Sequence, residues 1–162
     1  MPVLTATTGS LTIAHLLVAD LPLCESFGRA FHSEKEIPGE FDPGTFERNW
    51  TQFIESGIGT ILGLWRDEVL IGGIGGIVVA DLTSGEMTVN ELFWYVQPDA
   101  RHGTWPLRLI KELRSWGKSH GATRLRMVHI LMPNESASTV KLAHVYRQLG
   151  LRPIEVAYDG EI

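Results

Sequence analysis

The stretch Phe93-Trp-Tyr-Val-Gln-Pro-Asp-Ala-Arg-His-Gly-Thr104 decides how this chain is read. Its first residues are aromatic and β-branched, as a strand requires, and that pattern stops at Val96. A polar turn follows, carrying Pro98, Arg101 and Gly103. From about Thr104 the spacing becomes helical. Pro106, Leu109, Ile110, Leu113, Trp116 and Gly117 recur on one face, and Gly121 ends the run. A strand therefore passes through a short turn into a helix start. Backbone N–H groups at a helix start carry partial positive charge, and with Arg101 close by they suit a phosphate-bearing ligand.

Working outward, residues 60–66 and 69–80 read as strands joined at Asp67-Glu68, and Thr83-Ser-Gly85 turns the chain into a strand over 86–96. The run Gly72-Gly-Ile-Gly-Gly76 lies inside an apolar strand with no helix behind it. It predicts a bulge or a close backbone approach rather than a phosphate loop. Upstream, residues 11–18 read as a first strand. Asp20 as N-cap and Pro22 then open a helix with Leu23, Phe27, Ala30 and Phe31 on one face. A polar loop spans 32–41, and Asp42-Pro43 starts a helix with Phe46, Trp50, Phe53 and Ile54 inward.

Downstream, 124–131 reads as a strand and 134–138 as a loop. A last helix places Leu142, Val145, Tyr146 and Leu149 on one face before Gly150, and 154–158 reads as a final strand. The order is β-α-α-β-β-β-α-β-α-β, an α/β (α+β mixed sheet) fold with a mostly antiparallel central sheet. Three strands in series pair antiparallel, and the two later β-α-β passages require crossovers. With no repeat, linker or low-complexity tract, residues 1–162 read as a single domain.

Composition narrows the function classes. The chain is 44% hydrophobic and 20% charged, ordinary for a soluble globular protein, and a net charge of −5 argues against a surface built throughout for nucleic acid. A local basic group remains in Arg101, Arg108, Lys111, Arg114, Lys118, Arg124 and Arg126. Cys24 is the sole cysteine, which excludes an intramolecular disulfide and argues against a Cys-based zinc site. It falls in a helical pattern and reads as a small core residue. No Lys or Arg precedes Arg29, and no apolar run is long enough for a membrane span. The expected setting is a reducing cytoplasm.

Val96-x-Pro98-x-x-Arg101 and Tyr146-x-x-x-Gly150, set in this element order, resemble the GNAT family of N-acetyltransferases. The family pattern is Val-x-Pro-x-x-Arg-x-x-Gly-x-Gly/Ala, and the resemblance covers roughly residues 11–158. Thr104 stands where the family has its first Gly and Pro106 where it has Gly/Ala, with Gly103 offset by one. Trp94-Tyr-Val-x-Pro98 and Leu149-Gly-Leu-Arg-Pro153 look most like members encoded by bacteriophages and prophages.

The resemblance implies acetyl-CoA as co-substrate. Its pyrophosphate would lie on the turn formed by Arg101, His102, Gly103 and Thr104. Its thioester would be polarised by backbone N–H groups near Tyr95 and Val96, and its pantetheine arm would meet Asn134 and Ser138. Trp105 would stack on the adenine or seal the site. Tyr146 matches the family's acid for the departing thiolate. Glu91, a carboxylate costly to bury without a partner, is the expected base, with His129, central in the next strand, second. Glu34, Glu36, Glu40 and Asp42, with Asn90, would shape an acceptor pocket that attracts a cationic amine.

The expected activity is acetyl transfer to a primary amine by direct attack, without a covalent enzyme intermediate. The acceptor is a small molecule or a macromolecule. Two alternatives stand beside it. One is a non-catalytic binding or structural module of the same fold; the other is an enzyme acting on a modified nucleobase or a protein lysine. A membrane is not an expected partner, nucleic acid is a less favoured one, and homodimerisation is left open.

Overall fold

The structure, a computed structural model, describes residues 9–130, 136–155, 157–160 and 162, with backbone alone for 136–140. The chain divides into one unit ending at Val128 and a second beginning at His129.

The first unit holds the sheet. β1 (Leu11–His15), β2 (Gly59–Arg66), β3 (Val69–Ala80), β4 (Met87–Val96) and β5 (Arg124–Arg126) lie side by side in that order. All neighbours pair antiparallel except β4 and β5, which are parallel. β2 and β3 are nearly continuous apolar runs because both sheet faces are covered. Asp67 makes the tight hairpin between them at φ +53.

One face packs under α1 (Glu25–Glu34) and α2 (Pro43–Glu55). Phe27 of α1, Trp50 of α2, and Phe93 and Tyr95 of β4 meet there in an aromatic cluster. Asp42 caps α2 as its sequence predicts: its Oδ1 accepts from the Gly44 N–H at 3.1 Å, and Pro43 occupies the first turn. The other face packs under α3 (Trp105–Ser119), which buries Leu109, Ile110, Leu113 and Gly117. A Cβ on Gly117 would lie 2.1 Å from Cγ2 of Val89, so helix and strand touch there only because that side chain is missing.

The glycine run of β3 works as its sequence predicts. The register with β4 shifts between Gly75 and Gly76, and a Cβ on Gly72 would fall 2.4 Å from the Tyr95 carbonyl oxygen.

Five expectations are corrected. The first strand stops at His15, and a 3-10 helix (Val18–Cys24) leads into α1. Asp20 is therefore inside this 3-10 helix rather than at the N-cap of α1; its Oδ2 reaches back to accept from the N–H of the N-cap residue Leu17 at 2.8 Å. β5 is three residues long and does not reach 131, because its pairing with β4 ends at Asn90 and Arg126. His129 accordingly lies beyond β5 rather than in the middle of it. Among the described residues of 154–158 no strand forms; Ile154 and Tyr158 are exposed, so the apolar alternation there finds no buried face.

In the second unit, α4 (Ser136–Gln148) keeps Leu142, Val145 and Tyr146 half-buried, and Gly150 at φ +77 closes the helix while the Leu151 N–H bonds back to the Tyr146 carbonyl at 2.9 Å. No helix among the described residues is long and apolar enough to cross a membrane.

Candidate active site

β4 organises the site, and its bulge sets which way each side chain points. Glu91 faces Gly76 and Phe93 faces Gly75, so Leu92 is the extra residue and is exposed. Directly opposed residues share a sheet face. A Cβ on Gly76 would meet Leu113 of α3 at 3.0 Å, which puts Glu91 on the α3 face. Asn90 opposes Ile77, which meets the space beside Gly59 and Phe53, so Asn90 lies on the α2 face. The two neighbours point to opposite faces, as the strand alternation predicts. The Asn90 Oδ1 atom is buried without a hydrogen-bond partner among the described residues.

Glu91 sits where the sheet opens. β5 pairs with β4 through Arg126 and then leaves it. At that point the Val128 N–H donates to Oε2 of Glu91 at 2.8 Å, so a side-chain carboxylate replaces the main-chain acceptor of the ladder. Glu91 is 5% exposed. Burial pushes its carboxyl from the ordinary 4.5 up to about 7, with the Val128 hydrogen bond pulling the other way. A carboxyl with that pKa exchanges protons readily at neutral pH.

At the far end of β4 the chain makes a 3-10 turn (Pro98–Ala100) and enters α3 through Thr104. Gly103 takes φ +92, a conformation that side chains disfavour, which explains a glycine one position early relative to the family pattern. Among the described residues, no hydrogen bond satisfies the N–H groups of Gly103, Thr104, Trp105 or Leu107; the first helical bond comes from the Arg108 N–H to the Thr104 carbonyl at 2.9 Å. Pro106 contributes no donor. His102, Gly103 and Thr104 are exposed, and the Arg108 guanidinium lies 4.4 Å from the centre of the Trp105 ring.

Arg101 is already occupied. Its Nε donates to the Val96 carbonyl at 2.7 Å, a terminal nitrogen donates to Oε2 of Glu34 at 2.6 Å, and the guanidinium lies 5.3 Å from the Tyr95 ring centre. The Glu34 carboxylate holds its pKa above the ordinary value. Tyr95 is buried and stacked on Phe27, so its ring belongs to the core and meets the turn through Arg101.

The four acidic residues of the α1–α2 region have separate positions. Glu34 pairs with Arg101, and Asp42 caps α2 with its carboxyl held below the ordinary range by the Thr45 hydroxyl. Glu36 and Glu40 line an open cavity of about 540 Å³ together with Arg29, His32 and Phe41. In the second unit the rings of His129 and Tyr146 meet edge to face with centres 6.2 Å apart. Asn134 lies outside the described residues, as does the side chain of Ser138. Cys24 is fully buried and its thiol is pushed up to about 12, chiefly by burial, which makes it inert as a nucleophile.

Sequence reasoning named Glu34 and Arg101 but not their pairing, and it missed Val128 and the ion pair of Arg66 with Asp99 at 2.7 Å. These contacts join residues far apart in the chain, and no local spacing carries them.

The model of the acetyltransferase (GNAT) family matches residues 22–151. Among solved structures, a predicted acetyltransferase with acetyl-CoA from Clostridium acetobutylicum is 10% identical, covers 94% of this chain and 96% of its own, and superimposes with TM-score 0.75. An aminoglycoside acetyltransferase from an uncultured soil metagenomic sample is 16% identical, with 94% and 99% covered and TM-score 0.71. A ribosomal-protein-alanine N-acetyltransferase from Brucella melitensis is 16% identical, with 94% and 99% covered and TM-score 0.65. Likeness at such identities is likeness of fold. No curated protein matches the chain.

Proposed function

The chain belongs to the GNAT acetyltransferase family, and on that premise we propose that it transfers the acetyl group of acetyl-CoA to a primary amine by direct attack, acting as one acyltransferase domain over its whole length. The observation that carries this reading is Glu91: a buried carboxyl with a pKa near neutrality, placed where β4 and β5 part. Simple structural carboxylates are normally solvated or ion-paired, whereas Glu91 is buried and has no ion-pair partner among the described residues.

The turn fits the co-substrate. The N–H groups of Gly103, Thr104, Trp105 and Leu107 are available to phosphate oxygens at the positive end of α3. Backbone N–H groups at Tyr95 and Val96 polarise the thioester carbonyl. In the reaction the amine nitrogen bonds to the acetyl carbon and the carbon–sulfur bond breaks. Glu91 receives the amine proton, directly or through water. Tyr146 gives its phenolic proton to the departing thiolate and regains one from solvent. Glu36, Glu40 and Oδ1 of Asn90, which has no hydrogen-bond partner among the described residues, provide acceptors for a cationic amine. Cys24, buried and protonated, favours direct attack over a covalent enzyme intermediate.

The non-catalytic module keeps one supporting observation, Pro106 in the first turn of α3 where a further N–H would help hold phosphate. Calorimetry with acetyl-CoA, followed by measurement of thiol release against a panel of primary amines, separates the two. Absence of binding at millimolar acetyl-CoA ends the enzymatic reading. Tyr146→Phe keeps the ring and loses the proton. Its kcat is expected to fall roughly 10²–10⁴-fold with the KM for acetyl-CoA nearly unchanged.

A further inference from the structure

Arg101 matches the arginine of the family's cofactor turn, yet its side chain is turned away from the open N–H groups and back onto the fold. Nε is committed to the Val96 carbonyl and a terminal nitrogen to Glu34, and the guanidinium carbon lies over the Tyr95 ring at 5.3 Å. Glu34 is in the last turn of α1, directly before the loop that carries Glu36 and Glu40. Lys35 lies 4.0 Å from the other Glu34 oxygen. The ion pair is about one-third exposed on each side, at 38% for Arg101 and 32% for Glu34, so water screens it only in part. A phosphate reaching Arg101 would first have to displace a carboxylate at 2.6 Å.

The rest of the turn is held in the same manner. Asp99 pairs with Arg66 at the end of β2, and the Gln97 N–H donates to the Ile71 carbonyl at 3.0 Å. With Asp99 and Arg101 both engaged by neighbours, the donors the turn offers a ligand are its main-chain N–H groups and the exposed side chains of His102 and Thr104.

We propose that Glu34 and Arg101 form a latch between the acceptor-side loop and the acyl-donor turn, and that Arg101 serves acetyl-CoA as a positioning residue that fixes the turn, without touching phosphate. The donor part rests on the reading of this turn as the acetyl-CoA site. The latch itself rests only on the contacts above. It makes ordering of the loop after α1 and ordering of the turn before α3 one event, so that each substrate prepares the place of the other.

Acetyl-CoA affinity of the wild type, Glu34→Gln, Arg101→Ala and the double variant tests the donor part. The latch requires that Glu34→Gln, a change at a residue remote from the phosphates, weaken binding about three- to tenfold. Arg101→Ala should do the same, and the double variant should be no worse than the poorer single one. A direct phosphate contact requires the opposite sign for Glu34→Gln, unchanged or tighter binding because a competitor is removed, and that result overturns the proposal. Amide exchange without any ligand tests the latch separately. The N–H groups of Lys35, Glu36 and Ile37 close the end of α1, and Arg101→Ala should speed their exchange severalfold while leaving α2 unchanged. Unchanged exchange at these amides overturns the latch even in a protein that binds acetyl-CoA. A wild type that fails to bind acetyl-CoA, yet shows the faster exchange in Arg101→Ala, keeps the latch and removes the enzymatic reading.

Discussion

The middle of β4 and its exit solve opposite electrostatic problems. At its bulge, Glu91 is buried with one hydrogen bond and no cation beside it among the described residues, and its carboxyl is held near neutrality by lost solvation. At its exit, Asp99 and Arg101 are each paired with an opposite charge, while backbone N–H groups from Gly103 to Leu107 have no partner among the described residues. Burial perturbs a proton-transfer group and is suited to chemistry. Pairing silences side chains and leaves a fixed array of donors, which is suited to holding a charged ligand in one place.

The largest expected effect lies at the buried bulge. Glu91→Gln keeps an acceptor for the Val128 N–H and removes the titration. Once an acceptor amine is found, kcat should drop roughly 10²–10⁴-fold, and the rise of wild-type activity through about pH 7 should disappear from the pH–rate profile. A variant that keeps both its rate and that limb would erase the contrast between bulge and exit.

Next comes stability. The folded pKa of Glu91 is raised above its ordinary value, so folding favours the protonated form. Its contribution is fully present below about pH 4.5 and is lost as pH rises through about 7, a change of roughly 3 kcal/mol from a shift of this size. Denaturant titrations of the wild type and Glu91→Gln at pH 4.5 and pH 8 should show the wild type losing that much more on going to pH 8. Parallel losses would mean that the carboxyl is better solvated than its burial indicates.

A smaller effect is expected where β3 supports the exit. A Cβ on Gly72 would lie 2.4 Å from the Tyr95 carbonyl and 2.8 Å from the Val96 Cα, and neither backbone atom can move without shifting the turn. Gly72→Ala should cost about 1–3 kcal/mol in urea unfolding and weaken acetyl-CoA binding as well. Loss of stability without loss of affinity would separate the turn from the strand that backs it. The smallest effect is at Pro106, where Pro106→Ala supplies one more N–H at the cost of part of a half-buried ring. Acetyl-CoA should bind roughly two- to tenfold tighter by calorimetry.

Much of this was readable along the chain. β3 and α3 carry long, unambiguous apolar periods, and Asp42-Pro43 announced the start of α2. Glycines that touch a neighbouring backbone showed as a run that no helix followed. The first helix was harder, because Asp20 can serve either a cap or a 3-10 turn and only the path after β1 decides between them. The short β5 and the unformed strand at 154–158 depended on pairing partners, which no residue pattern contains. In the site, residue types were legible while their partners were not. Glu34 and Arg101 looked like contacts for two different substrates and turn out to bind each other.

Cys24 has a practical side. Its thiol is sealed in the core and pushed up to about 12, so at neutral pH the protein behaves toward maleimides and disulfide reagents as though it had no cysteine. The sulfhydryl of released CoA would then be the only one such a dye could find, and turnover could be followed continuously without blocking or mutating the enzyme. A single cysteine introduced at an exposed position such as Leu82 would give a uniquely labelled protein for fluorescence.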